Sequence, residues 1–489
     1  MSLIQRLGKS SAIYTITTIL QNGIAFFLLP LYTRYLTPND YGILAVVNSI
    51  NGFLTIFLML SLHGAMTRFY FDYRFEPEKL KAFWGTILTF ILIFSIGVGG
   101  LLILFGQILF KPVIGEIPFW PFVVLGIGVV IFQPFFTIYL GLLQTREQTK
   151  KYAILSLTQF VVNVGLAISL VVFAGWGAEG PLTATLITAV LFFMTSIYAL
   201  REDVVFGINK FYLKEALRYS LPLVPHSLAS QISNATGKLF LNYLVNTGSA
   251  GLYNIGFMFG SIIGVVSDGI NKAYVPISMG ILSTNKREEL DHLKNIVLFL
   301  VVMYCLLGTV ISLFSKEAIF ILTTEAFYES YIIVPFLAFY FVLGGIYYFL
   351  VNILFFVKKA TKFVAIGTGI GAVSNILLSW LLIPRYGLFG AAVATMLAQV
   401  IGTFFIGFIG HAFEIIHWEY RKFISIFILS AIFSFSLLIF KDLNLWSFVG
   451  IKAIAFGVLF FLLNYIAWGD PFFLITHGKK LFFAMVRIR

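Results

Sequence analysis

The 489-residue sequence is poor in charge and in cysteine. Only 11% of its residues are charged and 60% are hydrophobic, with a mean hydropathy of +0.96, whereas about a quarter of the residues in a soluble domain are charged. A water-soluble fold cannot bury this much apolar surface, so the composition predicts a protein whose solvent is lipid. The single cysteine, Cys305, excludes an intramolecular disulfide.

Sequence motifs of catalysis and nucleotide hydrolysis are missing as well. The chain has no GxxxxGK[ST] loop, no HExxH or CxxC metal spacing and no motif of a serine hydrolase. The predicted loops are all short, whereas membrane polymerases and ligases usually carry a large extracytoplasmic loop with catalytic acids. We therefore predict a protein that is not an enzyme and that has no catalytic residue, metal site or cofactor.

Fourteen apolar runs of membrane-spanning length make up most of the chain. Helices are the predicted form, because a helix satisfies its own backbone hydrogen bonds in lipid. With the N-terminus in the cytoplasm, 25 Lys and Arg residues fall in cytoplasmic segments and 5 on the opposite side, which predicts that both termini are cytoplasmic. The predicted spans are 10–30, 41–62, 84–110, 118–143, 153–175, 181–200, 219–245, 250–280, 294–315, 331–357, 362–383, 387–410, 423–440 and 445–467.

The second half of the chain repeats landmarks of the first half, and the Gly and Ala-Thr landmarks recur at an offset of 210 residues. An offset of six spans keeps both copies in the same orientation, so the repeat is parallel. The hairpin Leu31–Leu44, in which Pro38 predicts the end of the first helix, has a weaker echo at Leu241–Tyr253. The shared landmarks are a mid-span Asn (Asn163, Asn375), a Gly-x-x-Gly (Gly177–Gly180, Gly387–Gly390) and an Ala-Thr pair (Ala184-Thr185, Ala394-Thr395).

These patterns predict an all-α polytopic membrane protein with 14 transmembrane helices. Two parallel six-helix lobes and an appended helix pair would surround a central cavity. The predicted N-lobe is 1–205, with spans 1–6, and the C-lobe is 206–415, with spans 7–12. Residues 416–489 would carry spans 13 and 14 and a cytoplasmic tail.

Polar side chains inside the spans are concentrated in the first two helices of each predicted lobe. A charged group costs about 2.5–3.5 kcal/mol at the bilayer centre, so it should face a cavity or a partner. Hydrogen bonding between helices is the alternative for the uncharged groups, and extension to the membrane surface is the alternative for Lys238. The stripes are Gln21 and Asn22 in span 1, Asn51 in span 2 with His63 and Arg68 just beyond it, Ser227, Gln231, Asn234 and Lys238 in span 7, and Asn254, Ser261, Asp268 and Lys272 in span 8.

The charge balance of these stripes points to an anionic ligand group. Lys and Arg donate charge-assisted hydrogen bonds to phosphate oxygens, so Lys238, Lys272 and Arg68 are the predicted diphosphate-binding residues. Asp268 and Lys272 are four residues apart and could instead neutralise each other, and Arg68 could be a topology charge. Amides suit sugar hydroxyls, and the predicted sugar-binding or cavity residues are Gln231, Asn234, Asn254, Asn51, Gln21 and Asn22.

The opening hairpin resembles the N-terminal signature of the polysaccharide-biosynthesis flippases, which carry O-antigen or oligosaccharide repeat units. These flippases belong to the multidrug/oligosaccharidyl-lipid/polysaccharide exporter superfamily. The arrangement of six, six and two spans extends the resemblance over essentially the whole chain. The residues that carry it are Gly8, Arg34–Pro38, Asp40–Gly42, Gly64–Ala65, Arg68–Tyr70, Gly251–Gly260 and Pro276.

The resemblance implies a flippase that moves undecaprenyl-diphosphate-linked oligosaccharide from the cytoplasmic to the periplasmic leaflet by alternating access. It also implies coupling to H⁺ or Na⁺, for which Asp268 and His63 are the candidates. The expected partners are the lipid-linked oligosaccharide, membrane lipids, and a polysaccharide polymerase and chain-length protein, with no nucleic acid. The expected location is a bacterial or archaeal plasma membrane. The alternatives are a cation-coupled multidrug antiporter, a lipid II flippase and a membrane polymerase or ligase.

Overall fold

Every regular element in the described part of the chain is a helix, in agreement with the fold class predicted from hydropathy. The computed structural model describes residues 3–284, 286–357, 360–413, 416, 418–436 and 445–478. The predicted cytoplasmic tail beyond residue 478 and the end of predicted span 13 lie outside these ranges.

The α-helices of the described ranges fall into two groups along the chain. The first group is α1 (Leu3–Phe27), α2 (Leu29–Tyr35), α3 (Pro38–Met59), α4 (Leu62–Tyr73), α5 (Pro77–Ile114), α6 (Val124–Thr145), α7 (Thr149–Ile168), α8 (Glu179–Leu200), α9 (Lys210–Ser220) and α10 (Val224–Leu244). The second group is α11 (Thr247–Thr284), α12 (Arg287–Leu313), α13 (Ser315–Leu322), α14 (Val334–Phe356), α15 (Thr361–Ala412), α16 (Tyr420–Phe435) and α17 (Leu445–Trp468).

Eleven helical stretches of the described residues are long and apolar enough to cross a membrane. They cover twelve of the predicted spans, because the stretch Lys362–Ala412 joins two of them across a non-helical residue, Gly387. The other two predicted spans correspond to α10, which carries the polar stripe, and to α16, whose described part has 16 residues. The chain is therefore a multi-pass membrane protein, and the count of fourteen stays a prediction.

The chain divides into two compact units, Met1–Gly251 and Leu252–Arg489. The first unit includes α10 and the first turn of α11, because α10 packs along α3 and α5. The lobe boundaries at 205 and 415 were drawn from the sequence repeat and stay predictions.

Each unit has its own apolar core. In the first unit, Trp84 of α5 and Phe135 of α6 are fully buried, together with Leu62, Ala65 and Met66 of α4. In the second unit, Tyr304 and Phe349 stack with ring centroids 5.8 Å apart and planes 4° apart, and Cys305 is buried beside them. Burial of such large side chains stabilises each unit, so the helices that carry its polar groups have fixed positions within the unit.

The first turns of α3 and α11 contact each other through their backbones. A Cβ atom at Gly42 would collide with the carbonyl oxygen of Thr247, and one at Gly251 would collide with the carbonyl oxygen of Pro38. Thr247 follows Pro38 by 209 residues, and Gly251 follows Gly42 by the same interval. The contact is thus reciprocal, and the weak echo of the opening hairpin marks two turns that pack against each other.

The N-caps of these two helices are equivalent as well. The Thr37 hydroxyl accepts a hydrogen bond from the Asp40 backbone N–H at 3.2 Å, and Asn246 Oδ1 accepts one from the Ser249 N–H at 2.8 Å. Thr37 and Asn246 are again 209 residues apart. Because a side-chain oxygen at this position satisfies an orphan N–H of the first turn, both helices begin where a cap is available.

The Gly-x-x-Gly motifs of the two halves also have matching backbone conformations. Gly177 and Gly387 both adopt positive φ, at +50° and +52°, where a side chain is disfavoured. Three residues later, a Cβ at Gly180 would lie 3.3 Å from the Leu170 backbone, and one at Gly390 would collide with the Leu382 carbonyl. Each Gly-x-x-Gly therefore makes a tight corner between two antiparallel helices.

A buried ion pair joins α13 to α17 in the second unit. Lys452 Nζ lies 2.6 Å from Glu317 Oε1, and the two side chains are only 3% and 10% exposed. Lys452 falls inside an apolar span, where an unpaired charge is costly. The sequence contains no local signal for the pair, because 135 residues separate its members.

We predict that Gly42→Ala destabilises the first unit by about 1–3 kcal/mol, because the added methyl group forces α3 and α11 apart. Thermal unfolding of the purified protein in detergent measures this effect. Gly97→Ala in α5 is the control, since no atom lies within 4 Å of its would-be Cβ. Equal unfolding temperatures for the two variants would contradict the close contact.

We predict that Lys452→Met costs about 3–5 kcal/mol of unfolding free energy, because it leaves the Glu317 carboxylate buried without its partner. The double variant Lys452→Met/Glu317→Met should recover most of that loss, since two apolar side chains replace the pair. The same thermal unfolding assay checks both variants. A double variant as unstable as the single one would show that the ion pair is not the source of the effect.

Candidate functional site

The residues on the polar face of α10 differ in burial and contacts. The Gln231 amide donates to the Ser49 carbonyl at 3.1 Å and packs against Gly52, so it binds α10 to α3. Asn234 is exposed and Lys238 is half-buried. The predicted stripe therefore contains one residue that binds a neighbouring helix, Gln231, and two residues further along α10, Asn234 and Lys238.

The predicted polar residues of α1 and α3 lie mainly at helix contacts. The Gln21 amide donates to the carbonyl and the hydroxyl of Ser156 in α7, at 3.0 and 2.8 Å. Asn22 is exposed and donates to the Thr18 carbonyl of its own helix at 3.0 Å. The Asn51 side chain packs against Gly126 of α6, where a Cβ would lie 2.7 Å from its Oδ1.

His63 and Arg68 belong to a separate helix and not to the end of span 2. The chain breaks at Leu60 and Ser61, which both have positive φ, and α4 then begins at Leu62. Arg68 is exposed and forms an ion pair with Asp72 one turn later, at 2.7 Å. Solvent screens an exposed pair of this kind, so the guanidinium can exchange partners.

The position of α4 is set by a hydrogen bond to α9. The Tyr73 hydroxyl donates to Glu215 Oε2 at 2.6 Å, and the aromatic rings of Tyr212 and Phe83 surround it. Burial, together with this hydrogen bond, raises the pKa of Tyr73. The neutral phenol therefore persists at physiological pH and anchors the helix that carries His63 and Arg68.

In the second unit, α11 presents its charged groups separately. The Asp268 carboxylate is exposed and accepts a hydrogen bond from the Tyr348 hydroxyl at 2.6 Å. Lys272 is exposed one turn further on, and among the described ion pairs none joins it to Asp268. Asn254 is half-buried near the start of the helix. The alternative that Asp268 and Lys272 neutralise each other is not realised in this structure.

His63 lines a cleft of about 640 Å³ in the first unit. The side chains around it come from α1, α4, α6, the turn after α6 and α7. Desolvation lowers the pKa of the His63 imidazole, so this side chain is neutral at pH 7. The other lining residues with polar or aromatic groups are Tyr14, Thr67, Phe71, Thr137, Gln144, Thr145, Glu147 and Tyr152.

Sequence reasoning missed the α6 side of this cleft. Thr137 and Gln144 line it, are both exposed, and are two helical turns apart on α6. The periodic signal was present, but a stripe of uncharged residues within an apolar run is also typical of helix packing. Only the folded unit shows that these side chains line open space.

Residues 7–282, more than half of the chain, match the protein family described as "Polysaccharide biosynthesis protein". The chain belongs to this family. An uncharacterized membrane protein of Haemophilus influenzae is 28% identical over 283 residues, which cover 56% of this chain. The aligned part spans 65% of the length of that relative.

Two solved structures share the fold of this protein. The lipid II flippase MurJ in an inward closed conformation aligns with a TM-score of 0.71 and 17% identity, over 96% of this chain and 100% of that one. An inward-facing multidrug resistance MATE family transporter of the MOP superfamily aligns with a TM-score of 0.63 and 15% identity, over 82% and 99%. At identities this low, the alignments show the fold alone. They confirm the all-α membrane fold predicted from the sequence.

We predict that Gln231→Ala and Asn234→Ala have different effects on stability. Loss of Gln231 removes a hydrogen bond and a packing contact with α3, so the unfolding free energy should fall by about 1 kcal/mol. Asn234 is exposed, so its replacement should change the stability by less than about 0.5 kcal/mol. Thermal unfolding of both variants in detergent tests the distinction, and equal losses would show that Asn234 is also a packing residue.

Proposed function

We propose that this protein is a flippase for an undecaprenyl-diphosphate-linked oligosaccharide in the plasma membrane of a bacterium or archaeon. It moves the cargo from the cytoplasmic to the periplasmic leaflet by alternating access, for the synthesis of O-antigen, capsule or exopolysaccharide. Membership of the polysaccharide biosynthesis family supports this proposal, and the fold is one that a lipid II flippase also has. The distribution of Lys and Arg supports cytoplasmic termini.

The observation that carries the proposal is the polar face of α10. This helix has 21 residues, which is long enough to cross a bilayer, yet it carries Gln231, Asn234 and Lys238 along one face. Groups of this kind are costly against lipid and mark substrate paths in membrane proteins. The helix is thus built to face a polar cargo rather than hydrocarbon.

Lys238 and Lys272 are the proposed contacts for the diphosphate during the transport cycle. Each lies on a long helix of the family-matched region, and a Lys ammonium donates charge-assisted hydrogen bonds to phosphate oxygens. Arg68 is the proposed third contact, because its ion pair with Asp72 is exposed and exchangeable. Asn234 and Asn254 are the proposed sugar contacts on α10 and α11, whereas Gln21, Gln231 and Asn51 contact neighbouring helices.

Asp268 is the leading candidate for coupling to H⁺ or Na⁺, and His63 is the second. The Asp268 carboxylate is exposed and bonded to a neutral hydroxyl, so it can bind a cation or a proton as the cargo moves. A polysaccharide polymerase and a chain-length protein are the proposed partners that use the flipped product. Family membership does not specify these residues and partners, and they are part of the proposal.

We predict that Lys238→Ala and Lys272→Ala each reduce surface polysaccharide about tenfold or more, because each removes a charge-assisted hydrogen bond to the diphosphate. The variants are expressed at matched protein level in a deletion strain of the source organism. Surface glycan is measured, and lipid-linked sugars are quantified by mass spectrometry. Undecaprenyl-linked oligosaccharide should accumulate in cells that carry either variant.

Lys111→Ala is the matched control, since this lysine is exposed in the last turn of α5 and has no proposed role. Normal surface glycan in both test variants would remove the diphosphate assignment. If deletion of the whole gene leaves the glycan intact but sensitises cells to cationic dyes, and Asp268→Asn fails to restore resistance, the protein is a multidrug antiporter instead.

A further inference from the structure

The cleft of the first unit differs in chemistry from the lysine-bearing faces of α10 and α11. Its volume of about 640 Å³ lies within the range of about 300–1,000 Å³ that is typical of small-molecule sites. No Lys or Arg is among its described lining residues.

Two basic residues near the cleft in sequence, Arg146 and Lys151, contact other groups. Arg146 donates two hydrogen bonds to Asp203, at 2.7 and 2.9 Å, and its guanidinium lies 4.8 Å from the centre of the Trp84 ring. Lys151 lies over the ring of Tyr139. Glu147 thus contributes a carboxylate that forms no ion pair among the described residues. The described lining residues therefore carry one carboxylate, that of Glu147, and no Lys or Arg.

The hydroxyl groups of the cleft are arranged as acceptors. Thr67, Thr137 and Thr145 each donate their proton to a backbone carbonyl one turn earlier in their own helix, at 3.2, 3.3 and 2.9 Å. Their oxygen lone pairs remain available on the cleft side. Gln144 and neutral His63 supply N–H donors next to them. A ligand group that both donates and accepts, as a sugar hydroxyl does, matches this mixture.

Aromatic rings complete the lining. Phe71 is 52% exposed at the cleft, and Tyr14 and Tyr152 meet edge to face with ring centroids 4.8 Å apart. The face of an aromatic ring carries partial negative charge and attracts the polarised C–H groups of a pyranose. Rings beside amides and hydroxyls therefore suit a carbohydrate better than a purely apolar ligand.

The Glu147 backbone is held in an unusual conformation. Its φ is +57°, which disfavours a residue with a side chain. Hydrogen bonds from its N–H to the Gln144 carbonyl, at 3.0 Å, and from the Thr149 N–H to its own carbonyl, at 2.9 Å, hold the turn. Such strain persists only where the surrounding structure enforces it, and it is common at ligand sites.

From this geometry we infer that the cleft binds an uncharged carbohydrate part of the cargo, separately from the diphosphate. The inference rests on the proposed flippase function and adds a sugar class to it. Neutral hexoses or N-acetylhexosamines fit the donors, acceptors and rings. Uronic or sialic acids fit less well, because Glu147 repels their carboxylates and the lining residues that the structure describes include no Lys or Arg to offset the repulsion.

Saturation-transfer NMR on the purified full-length protein in nanodiscs tests this inference with free glycosides. The probes are methyl glucoside, methyl N-acetylglucosaminide and methyl glucuronide. At least one neutral glycoside should give a signal, and the glucuronide should give none. The double variant Gln144→Ala/Thr137→Val should lose the neutral signal, and Glu147→Gln should gain the glucuronide signal.

Gln133→Ala is the matched control, because Gln133 is exposed on α6 one turn before Thr137 and does not line the cleft. It should retain the neutral signal. The inference is overturned if no neutral glycoside binds, if the glucuronide binds the wild-type protein equally well, or if the double variant keeps its signal. Thermal unfolding confirms that each variant is folded.

The result separates this inference from the flippase proposal. Free glycosides contain no diphosphate and the assay needs no transport, so Lys238→Ala should bind them like wild type. Normal surface glycan in the lysine variants would count against the proposed function alone. Absence of glycoside binding, with glycan export still lost in those variants, would count against the cleft alone.

Discussion

The backbone contact between Gly42 and Gly251 organises the first unit. Two helix N-termini meet there without intervening side chains, and the same hairpin supplies Asp40, whose carboxylate accepts a hydrogen bond from the Ala178 N–H at 3.2 Å. Asn242, just before the second of these helices, donates to the carbonyls that end α5. This corner thus positions α3, α5, α8, α10 and the first turn of α11, and larger side chains at the two glycines would separate α3 from that turn.

Lipid as a solvent explains how the remaining polar groups are used. Water is not available to satisfy them, so most in-span amides and charges bind a neighbouring helix. Gln21 bonds to Ser156, Gln231 bonds to Ser49, and Lys452 is neutralised by Glu317. Polar side chains that stay exposed after this pairing are therefore informative. They include Lys272 and the row of uncharged groups along the cleft.

Hydropathy and the repeat were sufficient to predict the helical membrane fold, and the helix before Pro38 ends at Tyr35, as this proline predicted. The break after Met59 was not predicted, because Leu60 and Ser61 adopt positive φ without a glycine to signal it. His63 and Arg68 consequently lie on a separate helix. The choice between packing and ligand binding for each amide was also left open, since both uses produce the same helical periodicity.

Composition by itself determined that the protein lies in a membrane, and the spacing of polar residues determined which helices carry them. These properties are local, because each helix satisfies its own backbone and displays its face through a period of 3.6 residues. Tertiary structure alone decided which polar groups bind a neighbouring helix and which line open space. That outcome depends on contacts between residues more than 100 positions apart, such as Gln21 with Ser156 and Glu317 with Lys452, for which a single sequence contains no local signal.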